Sequence, residues 1–366
     1  MGEPTALAER ALEQVPNLDA AIDELATPSR VLSRVARPRP RPQEGALESM
    51  MDVAAGGASA PPADPERVLE DGRRAAMKVR ASADPQHVTL TLDEQVGLEA
   101  VILLFGRPAL LVQHGTFPTP PAGWEALDAE RPRIEHSIRS VGRIELLNRG
   151  MVGTGFLVAP DLVMTNRHVA EVFSLPADGG GWTFKLGRTP VIDYIDERDA
   201  ITSATYKITA VAGIHTDVRI DLALLRVEAN PIGVVPADWT TPAVLPVSGT
   251  PPVIGDGEHH VYVVGYPATD NQGLTPPDVM MRIFGDVYEV KRLQPGTMTA
   301  ISATLPRFSH DCSTLGGNSG SCVVDLQTHQ VIGLHFSGGY RESNYAVALW
   351  KLADDPLLRD AGVQFV

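Results

Sequence analysis

The chain has only two cysteines, Cys312 and Cys322, in 366 residues, too few for a disulfide framework. It has no excess of positive charge. Lys and Arg total 31 against 45 Asp and Glu, a formal net charge of −14, which argues against nonspecific nucleic-acid binding and anionic membrane surfaces. Long hydrophobic runs are missing as well. The most apolar stretch, "LEAVILLFGRPALLVQ" from Leu98 to Gln113, is interrupted by Arg107 and Pro108 and is too short to span a bilayer. The first fifteen residues, "MGEPTALAERALEQV", lack the basic start and apolar centre of a secretion signal. No internal repeat is visible. A soluble, cytoplasmic protein is expected, with no cofactor and no metal.

What is present suits one large domain with an extension. Hydrophobic residues make up 43% of the chain, enough to bury a sizeable core. A helical segment is expected over 1–36, where apolar residues recur at helical spacing and Pro16 divides the pattern into two short helices. "RPRPRP" and "AAGGASAPPADP" make 37–65 a Pro/Gly/Ala-rich linker. The segment 66–137 is expected to hold a helix, with Asp64 as N-cap and Pro65 at its first position. A β-hairpin follows there, "VILLF" and "ALLVQ" joined at "GRP". From 138 to 366 the chain runs through short strand candidates separated by turn residues: "VGRIELL", "GTGFLVA", "LVMTNRHVA", "TYKITAVAGIH", "LALLRVE", "HVYVVGYP", "SCVVDL" and "QVIGLHF". Only the end, "ALWKLADDPLLRDAGV", returns to helical spacing. Many short strands with few helices predict a mainly β domain, a barrel or a sandwich.

Three separated sites carry candidate chemistry. Ser319 lies in "GGNSGS". A serine hydroxyl is a weak nucleophile that needs a base and a group to orient it. Neighbouring glycines allow the tight turn that aims backbone N–H groups at a developing oxyanion. Taken alone, the motif is equally a glycine-rich turn before a strand. His168 follows a strand-like run in "LVMTNRHVA", and Asp221 stands immediately before the apolar "LALLRV". A carboxylate there is suited to fix the tautomer of an imidazole. Asp217 is its nearest competitor but lies farther from the apolar run.

In this order, "GTGFLV…TNRHVA", "DLALLRV" and "TLGGNSGSCVV…VIGLH" resemble the trypsin-like, chymotrypsin-fold serine peptidases over roughly residues 138–352. The resemblance implies two six-stranded antiparallel β-barrels with the site in the cleft between them. His168 and Asp221 would come from the first barrel and Ser319 from the second. Ser319 would attack the scissile carbonyl, His168 would take and return the proton, and Asp221 would stabilise the imidazolium. Gly317, Asn318 and Ser319 would form the oxyanion loop, with the N–H groups of Gly317 and Ser319 as its donors.

Asn318 stands where secreted members carry the aspartate that pairs with a freed N-terminus, so activation by cleavage is not required. In this the chain looks like the bacterial glutamyl endopeptidases and heat-shock proteases. The resemblance places Ser313, Thr314, His335, Phe336, Ser337 and Gly338 around the substrate side chain. Ser313 offers no charge for a basic residue. Thr314 and His335 match carboxylate-binding positions of the glutamyl endopeptidases, which implies a preference for Glu or Asp, with small or aliphatic side chains as the rival. Cys312 and Cys322 are expected as buried thiols rather than a disulfide. Residues 1–137 are open to three readings: a brace on the barrels, an inhibitory segment, or an adaptor for a regulatory protein partner.

Overall fold

The computed structural model describes residues 4–35, 64–84, 88–254, 258–269, 284–338 and 344–366. The expected linker lies outside the described residues up to position 63. The extension is helical: α1 (Pro4–Gln14), α2 (Leu18–Glu24), α3 (Pro28–Leu32), α4 (Pro65–Ala81) and α5 (Leu92–Val101). Pro16 falls between α1 and α2. Asp64 caps α4 by accepting from the Glu66 N–H, with Pro65 in the first turn. At the contact between α4 and α5, Gly72 and Gly97 bring the two backbones together. A Cβ on Gly97 would lie 2.2 Å from the Gly72 nitrogen.

The hairpin expected around "GRP" does not form. Thr91 and Glu94 make a reciprocal capping box that starts α5, and the helix continues into a π-turn over Ile102–Gly106. Only β1 (Leu110–Leu111) is extended. Leu98, Val101, Ile102, Leu104 and Phe105 are all buried in one core with residues of α1, α2 and α4. Each such burial contributes about 1.5–3 kcal/mol, more than the β preference of any one residue, which spans about 1 kcal/mol. A run buried on all sides has no period by which to tell a helix from a strand. Positions 88–91 are irregular and lead into the helix cap.

Two short helices, α6 (Glu125–Ala129) and α7 (Arg131–Arg139), lead into the barrels. The first barrel contains β2 (Val141–Leu146), β3 (Gly150–Ala159), β4 (Leu162–Thr165), β7 (Pro190–Asp193), β8 (Thr205–Ile214) and β9 (Ala223–Val227). It closes in the order β2-β3-β4-β9-β8-β7. Helix α8 (Arg167–Phe173) and the small pair β5 (Ser174–Pro176) and β6 (Trp182–Phe184) lie between β4 and β7. The second barrel contains β10 (His259–Gly265), β11 (Arg292–Ile301), β12 (Arg307–His310), β13 (Cys322–Asp325), β14 (Val331–Ser337) and β15 (Asn344–Ala348). The β11–β12 pairing closes it, and β1 of the extension adds a strand to the outside of β11. A 3₁₀ turn and helix α9 (Pro356–Ala361) end the described chain.

Strand alternation assigns the apolar residues to separate cores. On β4 and β9, Val163, Ala223 and Leu225 fill the first barrel. Leu162, Met164, Leu222 and Leu224 turn outward into a core shared by the two barrels. On β10 and β13, Val261, Val263 and Val323 fill the second barrel, while Tyr262, Val264, Cys322 and Val324 enter the shared core. Strands buried on both faces read as continuous apolar runs. The two cysteines are free and buried. Cys312 lies in the second-barrel core and Cys322 in the shared one. Among the described residues no helix is long and apolar enough to cross a membrane.

Candidate active site

The antiparallel register of β4 and β9 pairs Thr165 with Ala223. Continued by two residues, it sets Asp221 beside the first turn of α8. There His168 Nδ1 lies 2.7 Å from Asp221 Oδ2, and the His168 backbone N–H donates to Oδ1 at 3.1 Å. Asn166, the residue before α8, does not cap the helix with its side chain. It donates instead to the Asp221 carbonyl at 2.8 Å, tying the start of α8 to the start of β9. The Asp221 side chain is 21% exposed and that of His168 48%. The carboxylate is therefore enclosed while the imidazole opens to solvent. Asp217, the competing carboxylate, is paired with Arg219 at 2.6 Å. Hydrogen bonds from Arg219 hold it well below the usual carboxylate range.

Ser319 lies in the loop joining β12 to β13, between Gly317 (φ +84) and Gly320 (φ +90). Both conformations are ones that residues with a Cβ rarely adopt. At Gly320 a Cβ would also lie 2.0 Å from the Thr154 carbonyl oxygen. The first barrel reaches across to this loop through Thr154. Its N–H donates to the Ser319 carbonyl at 2.8 Å and its hydroxyl to the Gly317 carbonyl at 2.7 Å. Thr165 in turn donates its hydroxyl to the Thr154 carbonyl at 2.7 Å. From the second barrel, Gly320 N–H donates to the His335 carbonyl at 3.0 Å and His335 N–H to the Ser321 carbonyl at 2.9 Å. Gly153 joins the two halves of the site. A Cβ there would meet both Val169, next to His168, and the Ser319 carbonyl.

Within the expected oxyanion set, Asn318 is the exception. Its N–H is used in the turn, donating to the Leu315 carbonyl at 3.2 Å, and its side chain is fully buried behind the loop. The Gly317 and Ser319 amides donate to no backbone carbonyl among the described residues.

The expected pocket residues are gathered on both sides of this loop, though several contacts involve residues that motif reading did not single out. Thr314 donates its hydroxyl to Asn344 Oδ1 at 2.7 Å, and Asn344 Nδ2 is fixed by the Cys312 carbonyl at 2.7 Å. Ser313 donates its hydroxyl to the Arg107 carbonyl at 2.6 Å, and its own carbonyl accepts from Gln294 Nε2. His335 is buried and its Nδ1 lies 3.2 Å from His310 Nε2. Burial, then the neighbouring His310 and His168, push His335 well below its ordinary range. Burial alone lowers His310 to about 3. Phe336 packs on the shared core, Ser337 pairs with Tyr345 across β14 and β15, and Gly338 is exposed beside the Asn344 side chain. Arg107, Thr154, Asn166, Gln294 and Asn344 carried no recognisable signal of their own in the sequence.

Two closed six-stranded barrels, a histidine–aspartate pair on one and a glycine-framed serine loop on the other, define the class. The chain carries a trypsin-like peptidase domain with the chymotrypsin fold. Residues 153–334 match the family model described as a trypsin-like peptidase domain. Among solved structures, the chain is similar to the inactive form of a serine-to-alanine mutant of Rv3671c from M. tuberculosis H37Rv. Identity there is 22% over 64% of this chain and 93% of that one, with a TM-score of 0.40. The active form of the Rv3671c protease matches at 20% identity over 66% and 88% of the two chains, TM-score 0.40. A serine endoprotease from Yersinia pestis matches at 18% over 63% and 66%, TM-score 0.40. No curated protein shows significant sequence similarity to the chain.

Proposed function

We propose that this protein is a serine endopeptidase acting through Ser319, His168 and Asp221. The observation that carries this reading is the His168–Asp221 pair. With Nδ1–H held on the carboxylate at 2.7 Å, the lone pair of His168 lies on Nε2, the nitrogen available to take a proton from a serine hydroxyl. Ser319 Oγ attacks the peptide carbonyl carbon and its proton passes to His168 Nε2. The N–H groups of Gly317 and Ser319 receive the oxyanion. The C–N bond then breaks as His168 returns the proton to the leaving amine. Water, deprotonated by the same imidazole, hydrolyses the acyl-enzyme ester and restores Ser319. Exposure of folded protein to a fluorophosphonate tests this. Labelling that disappears in Ser319→Ala is expected. Absence of labelling in the wild-type chain overturns the reading and favours a peptidase fold that binds peptides without cutting them.

The side chain accepted before the cut is uncharged in this reading. Thr314 has one hydroxyl proton, and it is directed to Asn344 Oδ1. His335 is buried, neutral and paired with His310. Neither offers a cationic donor to a desolvated carboxylate. Preference for Glu or Asp, which the resemblance implies, would rest on the single N–H of a neutral His335 or on that ring gaining a proton on binding. A peptide-library cleavage profile separates the two: small or aliphatic residues before the cut are expected, and enrichment of Glu or Asp would reverse the assignment.

A further inference from the structure

The extension contributes to the candidate substrate pocket itself. Arg107 lies between the π-turn and β1, outside both barrels, yet its carbonyl accepts the Ser313 hydroxyl at 2.6 Å. Its guanidinium pairs with Asp311 at 2.6 Å and donates to Thr297 Oγ1 at 3.3 Å. Asp311 also accepts the Thr297 N–H at 2.7 Å and hydroxyl at 2.9 Å. Arg107 is 15% exposed and Asp311 33%, so the pair is partly withdrawn from water, where such contacts hold geometry better than at an open surface. Two residues on, buried Ala109 packs with Phe284 in a small cluster against which Leu103, Tyr288 and Leu315 also pack.

The segment Asp311 to Leu315, which leads into the nucleophile loop, is thus held from two sides. The second barrel grips it through Asn344 and Gln294, and the extension through Arg107. The extension is in turn fixed to the barrel. Arg292, fully buried on β11, donates to the carbonyls of Val35 at 2.9 Å, Ala109 at 2.8 Å, Phe284 at 2.7 Å and Val287 at 2.8 Å. Alongside it, β1 pairs with β11, Leu110 opposite Leu293, and within the extension Leu111 N–H donates to the Arg34 carbonyl at 2.9 Å.

We propose that Arg107 is a positioning residue for the substrate side-chain pocket, and that the extension acts as a built-in part of the site and not as a detachable inhibitor. This rests on the serine-peptidase reading above. Acting through Asp311 and Ser313, Arg107 sets the wall that the substrate side chain meets, without touching Ser319 or His168. A pocket effect and a nucleophile effect therefore separate. Cleavage of a peptide needs the pocket, whereas phosphonylation of Ser319 by a small fluorophosphonate needs only the nucleophile, its base and the oxyanion donors.

The experiment compares the full-length wild type with Arg107→Met, Arg107→Lys and Asp311→Asn, measuring kcat and KM on a good peptide substrate and the fluorophosphonate labelling rate. In Arg107→Met and Asp311→Asn, kcat/KM is expected to fall by about tenfold to a hundredfold, as displaced positioning groups do, carried largely by KM. Labelling is expected to stay within about twofold of wild type. Arg107→Lys, which keeps the charge, is expected to recover most of the loss. If Arg107→Met does not fold, Asp311→Asn carries the comparison, because its carboxamide oxygen can still accept from Thr297. Unchanged peptide kinetics, labelling that falls in step with peptide turnover, or a lysine variant as impaired as methionine overturns the inference alone. A wild-type chain that does not label overturns it together with the reading beneath it.

Discussion

Replacing Asp221 by Asn tests the candidate site most severely, because the surroundings dictate how the amide must sit. The His168 backbone N–H points at Oδ1 from 3.1 Å and His168 Nδ1 at Oδ2 from 2.7 Å. The carboxamide oxygen belongs on the backbone N–H, which turns the NH₂ group toward Nδ1. The imidazole then carries its proton on Nε2 and cannot act as base toward Ser319. Flipping the amide would restore the tautomer but set two donors face to face, at a cost of ~1–3 kcal/mol. The variant also lacks the charge that stabilises the imidazolium, a loss of at most about 4 kcal/mol at a separation of about 4 Å and an effective dielectric near 20. Together these give ~5 kcal/mol, a fall in kcat of about 10⁴-fold, in line with such a change in a serine triad. Steady-state peptide turnover and the fluorophosphonate labelling rate should both drop, with thermal stability little changed. Activity within about tenfold of wild type would refute the assignment of Asp221 as the orienting group.

Three further outcomes are expected. Gly97→Leu forces a side chain into the 2.2 Å approach to Gly72 and should destabilise the helical extension by roughly 1–3 kcal/mol or more, seen in thermal unfolding. Asp196 is raised to about 6, mainly by burial, although Arg143 pulls against it. Its folded value lies above the unfolded one, so its contribution favours the fold at low pH and is lost as pH rises through about 6. Asp196→Asn should flatten the stability–pH curve between those values by roughly 1–2 kcal/mol after allowance for solvent screening, as measured by denaturant unfolding. Cys312 and Cys322 should resist thiol reagents until the protein unfolds, since burial raises both and brings Cys322 to about 12. A reductant should leave the melting temperature unchanged, and a shift would contradict their placement in separate cores.

Much of the double barrel was legible because β4, β9, β10 and β13 are buried on both faces and appear as short apolar runs bounded by turn residues. β11 was harder to see. It begins with Arg292, and Gln294 follows two residues later, both buried, and they donate to carbonyls outside the strand, Val35 and Ala109 among those of Arg292 and Ser313 for Gln294. The run Val101–Phe105 hid its helical character for the opposite reason, since most of it is buried in core, and the Thr91–Glu94 cap is the local sign of the helix that leads into it. His168, Asp221 and Ser319 stood out because each lies two or three residues from a strand end in a short local pattern. Arg107 did not, because its contact with Ser313 spans 206 positions and nothing local distinguishes it from a surface arginine.

The shared core between the barrels has a consequence for how the chain is made. Leu162, Met164, Leu222 and Leu224 are complete in the nascent chain well before Cys322, Val324, Leu334 and Val347, their counterparts on the second barrel. During synthesis the first barrel, with Phe117, Trp124, Leu127, Ile134 and Ile138 of the segment before it, therefore emerges before the second-barrel part of this core. Apolar residues that wait for their packing partners in this way are prone to aggregate. The shared core is therefore complete only once Leu334 on β14 and Val347 on β15 have been added.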